Sequence, residues 1–241
     1  MFQNENKSTL SITMGHNRLN AIIVGILFIV ATITNVIGNS ISKSIFDKQN
    51  FISIVSTNEN QILLGVLLVV LSAFASAGIA IWLYPIIKKD HEGLALGSVA
   101  FRMIEGILYI GGAINVLLIL ALGQEYAKTE NPDISWFQTL GNVLLTNKVM
   151  VGELGVIAFT LGGLMYYIVF YQTNLVPRWL TVWGIIAIVL TLTTALLTIF
   201  GLMDSLSIIF IVLNLPLAIQ EMVLAILLII KGFNASKTIS Q

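Results

Sequence analysis

The sequence predicts an all-α membrane protein, a bundle of six transmembrane helices with both termini in the cytoplasm. Three observations carry this reading. The 241 residues are 57% hydrophobic and only 10% charged, with a mean hydropathy of +0.94, well outside the range of a soluble globular domain. Apolar runs recur along the chain, each close to the roughly 20 residues that a helix needs to cross a hydrocarbon core. The lysines and arginines are distributed unevenly over the segments between those runs.

The runs extend over Leu19 to Ile37, Ile62 to Ile87, Leu94 to Leu122, Val149 to Tyr171, Trp179 to Phe200 and Leu206 to Ile230. None alternates apolar and polar residues as a barrel strand would. The first lacks a small-x-small cleavage site after it and is read as an uncleaved first helix. The second closes on Trp82, Tyr84 and Pro85 before Lys88 and Lys89, and the fifth opens on Pro177 and Arg178 followed by Trp179 and Trp183. Both arrangements suit a membrane interface, and both prolines are read as marking span ends rather than kinks.

Orientation follows from charge. Lys7, Arg18, Lys88, Lys89, Arg178, Lys231 and Lys237 fall on the side of the termini, and Lys43, Lys48, Lys128 and Lys148 on the other. The positive-inside rule then puts both termini in the cytoplasm, with the protein in the cytoplasmic membrane. The outer side receives two long loops, 38–61 and 123–148. No loop is long enough for a folded module, so residues 18–233 are read as a single transmembrane domain flanked by polar tails, 1–17 and 234–241, that are expected to be mobile. The bilayer is the expected surrounding; no basic soluble patch offers itself to nucleic acid.

Four ionisable residues fall inside the spans: Arg102 and Glu105 in the third, Glu153 in the fourth and Glu221 in the sixth. A charge at mid-helix costs about 2.5 to 3.5 kcal/mol on insertion scales, so each needs a partner, a wet cavity or a protein interior. In the third span Ser98, Arg102, Glu105, Tyr109 and Gly112 recur at alternating spacings of four and three, which makes one polar and small stripe. The sixth offers Asn214, Ala218, Glu221 and Ala225, and the fourth Glu153, Thr160, Gly163 and Tyr167. Ser72 and Ser76 in the second span and Thr32, Asn35 and Asn39 in the first complete a set of faces suited to a bundle interior. At about 1.5 Å per residue Arg102 lies about 13 Å in from the inner surface and Glu221 about 15 Å, so the two are expected to touch. Glu153 lies only about 7 Å below the outer surface.

Much chemistry is missing. There is no cysteine, and the two histidines, His16 and His91, fall outside the spans; no haem, zinc or other cofactor is expected. No lysine sits at mid-span for a Schiff base. Neither a G-x-S-x-G elbow nor a P-loop is present.

Three stretches, "FRMIEGILYIGG" in the third span, "LVPRWLTVWG" entering the fifth and "LPLAIQEMVLAILLIIKGF" closing the sixth, resemble the bacterial membrane family catalogued as domain of unknown function 4386. The resemblance covers about Arg18 to Phe233. It implies a six-helix membrane protein with no established activity, in which Arg102, Glu105, Pro177, Arg178, Trp179, Gly184, Glu221, Gly232 and Phe233 occupy signature positions.

Two functional classes follow from the buried charges. A small-molecule or proton-coupled carrier or binder would use Arg102, Glu105 and Glu221, with Glu153, Ser98, Tyr109 and Asn214 nearby, around a water-accessible cavity. A scaffold or partner-binding protein would hold the same residues dry and mutually satisfied. Catalysis on lipid is a third reading beside these two.

Overall fold

A computed structural model describes residues 2–205 and 207–234, with side chains from residue 17 onward. Among the described residues every regular element is helical: α1 (Phe2–Phe46), a short α2 (Ile52–Val55) running into a 3-10 turn (Ser56–Asn58), α3 (Glu59–Ile87), α4 (Glu92–Lys128), α5 (Ile134–Thr173), α6 (Arg178–Ile199) and α7 (Ile208–Ile230). All but α2 are long and apolar enough to cross a membrane, six in number. The protein is a multi-pass, all-α membrane protein.

Short connections make consecutive helices antiparallel neighbours. Here the neighbours run in chain order: α3 packs on α1 and α4, α5 on α4 and α6, and α7 on α6 and back on α1. The six spans therefore form a closed ring. Glycine sets the spacing at its seams. A methyl group at Gly25 would stand 2.7 Å from the Ala225 carbonyl oxygen on α7, and one at Gly65 would stand 3.0 Å from the Gly38 carbonyl oxygen on α1; only a bare backbone lets these helices approach so closely.

Apolar residues fill the ring and also cover it. One buried cluster gathers Phe28, Leu83, Tyr166, Phe170, Leu180 and Leu224 towards the side of the termini. A second gathers Phe46, Phe51, Ile52, Val116, Ile119 and Phe137 beneath α2. Leu67, Phe74 and Ile107, each about two-thirds exposed, face outward, where hydrocarbon rather than water is the natural solvent.

The helices outrun the apolar runs that announce them. The segments read as long outer loops are largely helical: α1 continues to Phe46, and α5 begins at Ile134 with Asp133 as its N-cap. The Asp133 carboxylate accepts from the amides of Ser135 and Trp136 at 2.9 and 3.4 Å, satisfying donors that a helix start leaves free, and these bonds hold it below the usual carboxylate range. Asn142, Thr146 and Asn147, within the segment 123–148 read as a loop, lie on the exposed face of this helix. At the other end the segment read as a polar N-terminal tail is helical from Phe2. The tail beyond Asn234 lies outside the described residues.

Pro177 caps α6, whereas Pro85 sits inside α3 just before its end and Pro216 inside α7. The pattern of spans gave no sign of Pro216. Arg18 in α1 donates to the last carbonyls of α7, so this part of α1 and the end of α7 lie on one side of the bundle.

Candidate functional site

The i, i+3 spacing of Arg102 and Glu105 puts both on the inner face of α4, where they are 1% and 2% exposed. Arg102 Nη1 donates to Glu105 Oε2 at 3.1 Å and to Ser76 Oγ of α3 at 2.8 Å. The Ser76 hydroxyl in turn donates to Glu105 Oε1 at 2.8 Å. Nη2 donates to the Tyr166 hydroxyl of α5 at 2.8 Å, and the guanidinium carbon stands 4.4 Å from the centroid of the Phe159 ring. A charge this deep is tolerable when its donors are paired and an aromatic face covers it. Nε alone has no partner. Two glycines allow the arrangement: Gly106 brings α4 against the Ala73 carbonyl of α3, and Gly162 leaves room on α5 for the Arg102 stem.

Glu221 is placed differently from the expectation. It is 8% exposed, and its Oε2 accepts from the Thr32 hydroxyl of α1 at 3.1 Å. It makes no direct ion pair with Arg102, whose carboxylate partner is Glu105. Matching depth does not fix the direction around the helix axis, and α5 supplies Tyr166 and Phe159 where the sixth span was expected. Glu221 nevertheless remains within electrostatic reach of both Arg102 and Glu105.

The other expected members stand outside this hydrogen-bonded group, although Tyr109 lies within electrostatic reach of Arg102, Glu105, Glu153 and Glu221. Glu153 is buried, and no hydrogen bond or ion pair joins it to the Arg102 cluster; its Oε2 is unpartnered. Ser98 is buried one turn below Arg102, also with a free hydroxyl oxygen. Tyr109 packs its ring against Gly155. Asn214 bonds to Thr194 of α6 at 3.1 Å and to the Phe210 carbonyl at 2.8 Å.

Three residues of the interior escaped the sequence reading. Tyr166 and Phe159 belong to a stripe with Gly155 and Gly162 at spacings of four and three, one face over from the stripe chosen. Gln220, wholly buried, accepts from the Tyr167 hydroxyl at 2.6 Å and donates to the Leu180 carbonyl at 3.1 Å, tying α5, α6 and α7 together. An uncharged amide among apolar letters gives little signal.

The pattern of the family described as Domain of unknown function (DUF4386) matches residues 23–232. The chain belongs to that family. The match takes in Arg102, Glu105 and Glu221 together with their contacts Thr32, Ser76, Phe159 and Tyr166. The family's description assigns no activity to them. No curated protein and no solved structure matches the chain.

Proposed function

We propose that this member of the family is a membrane-embedded binder or carrier whose working group is the Glu221 carboxylate. The observation that carries the reading is an imbalance of charge. One guanidinium serves two buried carboxylates, and it grips only Glu105. Arg102, Glu105, Tyr109, Tyr166 and Tyr167 are titratable groups within electrostatic reach of Glu221, and the hydroxyl of Thr32 is its direct partner. With both acids ionised the site carries a net negative charge in a medium that penalises it, so a proton or a cationic group is needed to complete it. The Arg102, Glu105 and Ser76 group, closed on itself, is the fixed element against which Glu221 works. We also propose that the termini face the cytoplasm and that the bilayer is the cytoplasmic membrane; the bias of basic residues supports this orientation.

Infrared titration of the purified protein tests the role of Glu221. In a Glu153→Gln background, which removes the other buried and unpartnered carboxyl, a carboxyl band that comes and goes with pH should persist in Glu105→Gln and vanish in Glu221→Gln. Absence of any such band from that background, or its survival on adding Glu221→Gln, overturns the reading.

A further inference from the structure

The seam between α1 and α7 is held tightly on one side of Glu221 and loosely on the other. Towards the termini Gly25 lies against the Ala225 carbonyl, and Arg18 holds the end of α7. Thr32 and Glu221 form the last hydrogen bond between the two helices among the described residues. Beyond it, Asn35 and Asn39 continue the same face of α1, and Ala218 and Asn214 continue that of α7, at spacings of three and four. None of these four is buried. In α7 no residue before Pro216 is buried, while Leu217, Gln220, Glu221, Leu224, Ala225 and Leu228 after it are. Pro216 has no amide to donate, so the helix lacks one rung at this point and its outer half is free to lean away.

The seam is thus held less tightly on the far side of Glu221, and the buried carboxylate stands where its tight and loose parts meet. A charge of the opposite sign reaches the loose part. Lys148 of α5 lies over Gly112 of α4 and donates to Asn39 Oδ1 of α1 at 3.2 Å. Among the described residues no carboxylate lies within ion-pair distance of Lys148. From the level of Thr32 to that of Asn39 is seven residues, about 10 Å along the helix. Apolar side chains border this stretch: Ile33 and Ile37 on α1, Ile211 and Leu215 on α7, all about half exposed.

From this geometry we infer that the loose part of the α1–α7 seam opens as a cleft that binds the headgroup of a zwitterionic phospholipid, its ammonium at Glu221 and its phosphate at Lys148, with the acyl chains left in the bilayer. The inference rests on the reading of Glu221 as the working carboxylate and names the ligand class for it. A simple cation answers only the apex and is repelled by Lys148; a simple anion answers only the mouth. A zwitterion is complementary to both charges, and the apolar borders admit it sideways from the leaflet.

The test is competitive lipid binding to the full-length protein in detergent, followed by native mass spectrometry. Phosphatidylethanolamine should bind about fivefold more tightly than phosphatidylglycerol, which lacks the ammonium, and than a long-chain primary amine, which lacks the phosphate. Glu221→Gln should remove the advantage over phosphatidylglycerol, Lys148→Gln the advantage over the amine, and Ala218→Phe, which fills the cleft, both. Equal binding of the three lipids by the wild type overturns the inference even if a variant fails to fold, and so does a preference that survives both charge substitutions. If Glu221 titrates in the infrared while the lipids bind equally, the proposed function stands and this inference falls.

Discussion

Arg18 Nη2 lies 2.6 Å from the carbonyl oxygen of Ile229, and this contact closes the ring of helices. The same guanidinium also donates to Leu228 and Ile230 at 3.1 and 3.0 Å. Gly232, at φ +79°, turns the chain away directly beneath it, where a Cβ would come within 3.1 Å of Arg18 Nη1. The last carbonyls of a helix carry partial negative charge and lack internal donors, so a guanidinium satisfies both needs. Arg18→Ala should cost about 1 to 2 kcal/mol in detergent unfolding, since the site is only partly buried. Lysine, with a point charge in place of a fork, should recover less than half of the loss.

The buried pair on α4 predicts a strongly non-additive cycle. Arg102→Leu leaves Glu105 buried and unpaired and should cost about 3 to 5 kcal/mol, and Glu105→Leu should cost a comparable amount. The double variant Arg102→Leu with Glu105→Leu should regain most of that stability, because a packed apolar pair removes the desolvation problem. Thermal unfolding of the four proteins gives the coupling directly; additive losses would show that the pair is not the unit described.

Reporter chemistry at the surface tests orientation without background, since the chain has no cysteine. Single cysteines at the exposed positions Lys48 and Glu130 should react with a membrane-impermeant thiol reagent in intact cells. One at exposed Lys89 should react only after lysis. The reverse pattern would invert the map.

The N-cap of α5 sets a pH dependence at the end of the bundle away from the N-terminus. Hydrogen bonds from Ser135 and Trp136 hold the Asp133 carboxyl below its usual range. A depressed folded-state value means that the contribution is fully present above the unfolded value, near 4, and is lost as pH falls through the folded one. Fluorescence of Trp136, isolated by comparison with Trp136→Phe, should therefore report fraying of the first turn in acid. Asp133→Asn, which caps but does not titrate, should flatten the response.

Hydropathy made the number and order of the spans legible, because a lipid-facing helix must be apolar along its whole crossing. It could not mark where helices end outside the bilayer, where Asn142, Thr146 and Asn147 are as compatible with helix as with loop. Helical spacing likewise revealed that Arg102 and Glu105 share a face. What sequence could not supply was the azimuth of each helix in the ring. The identity of the third partner of Arg102, Tyr166 rather than Glu221, depends on that angle, and so does the turn of Lys148 toward α1.

The order of the ring has a consequence for biogenesis. Ser76, Arg102, Glu105, Phe159 and Tyr166 all belong to α3, α4 and α5, so the arginine acquires its carboxylate, its hydroxyls and its aromatic cover while the last two spans are still being made. Synthesis runs from the N-terminus, and contacts between sequence neighbours form before distant ones. The α1–α7 seam, which joins the two ends of the chain, is then the final one to zip. Glu221 is thus delivered late, into an interior whose positive charge is already spoken for, and the nascent bundle never has to shelter a naked arginine while it waits for its last helix.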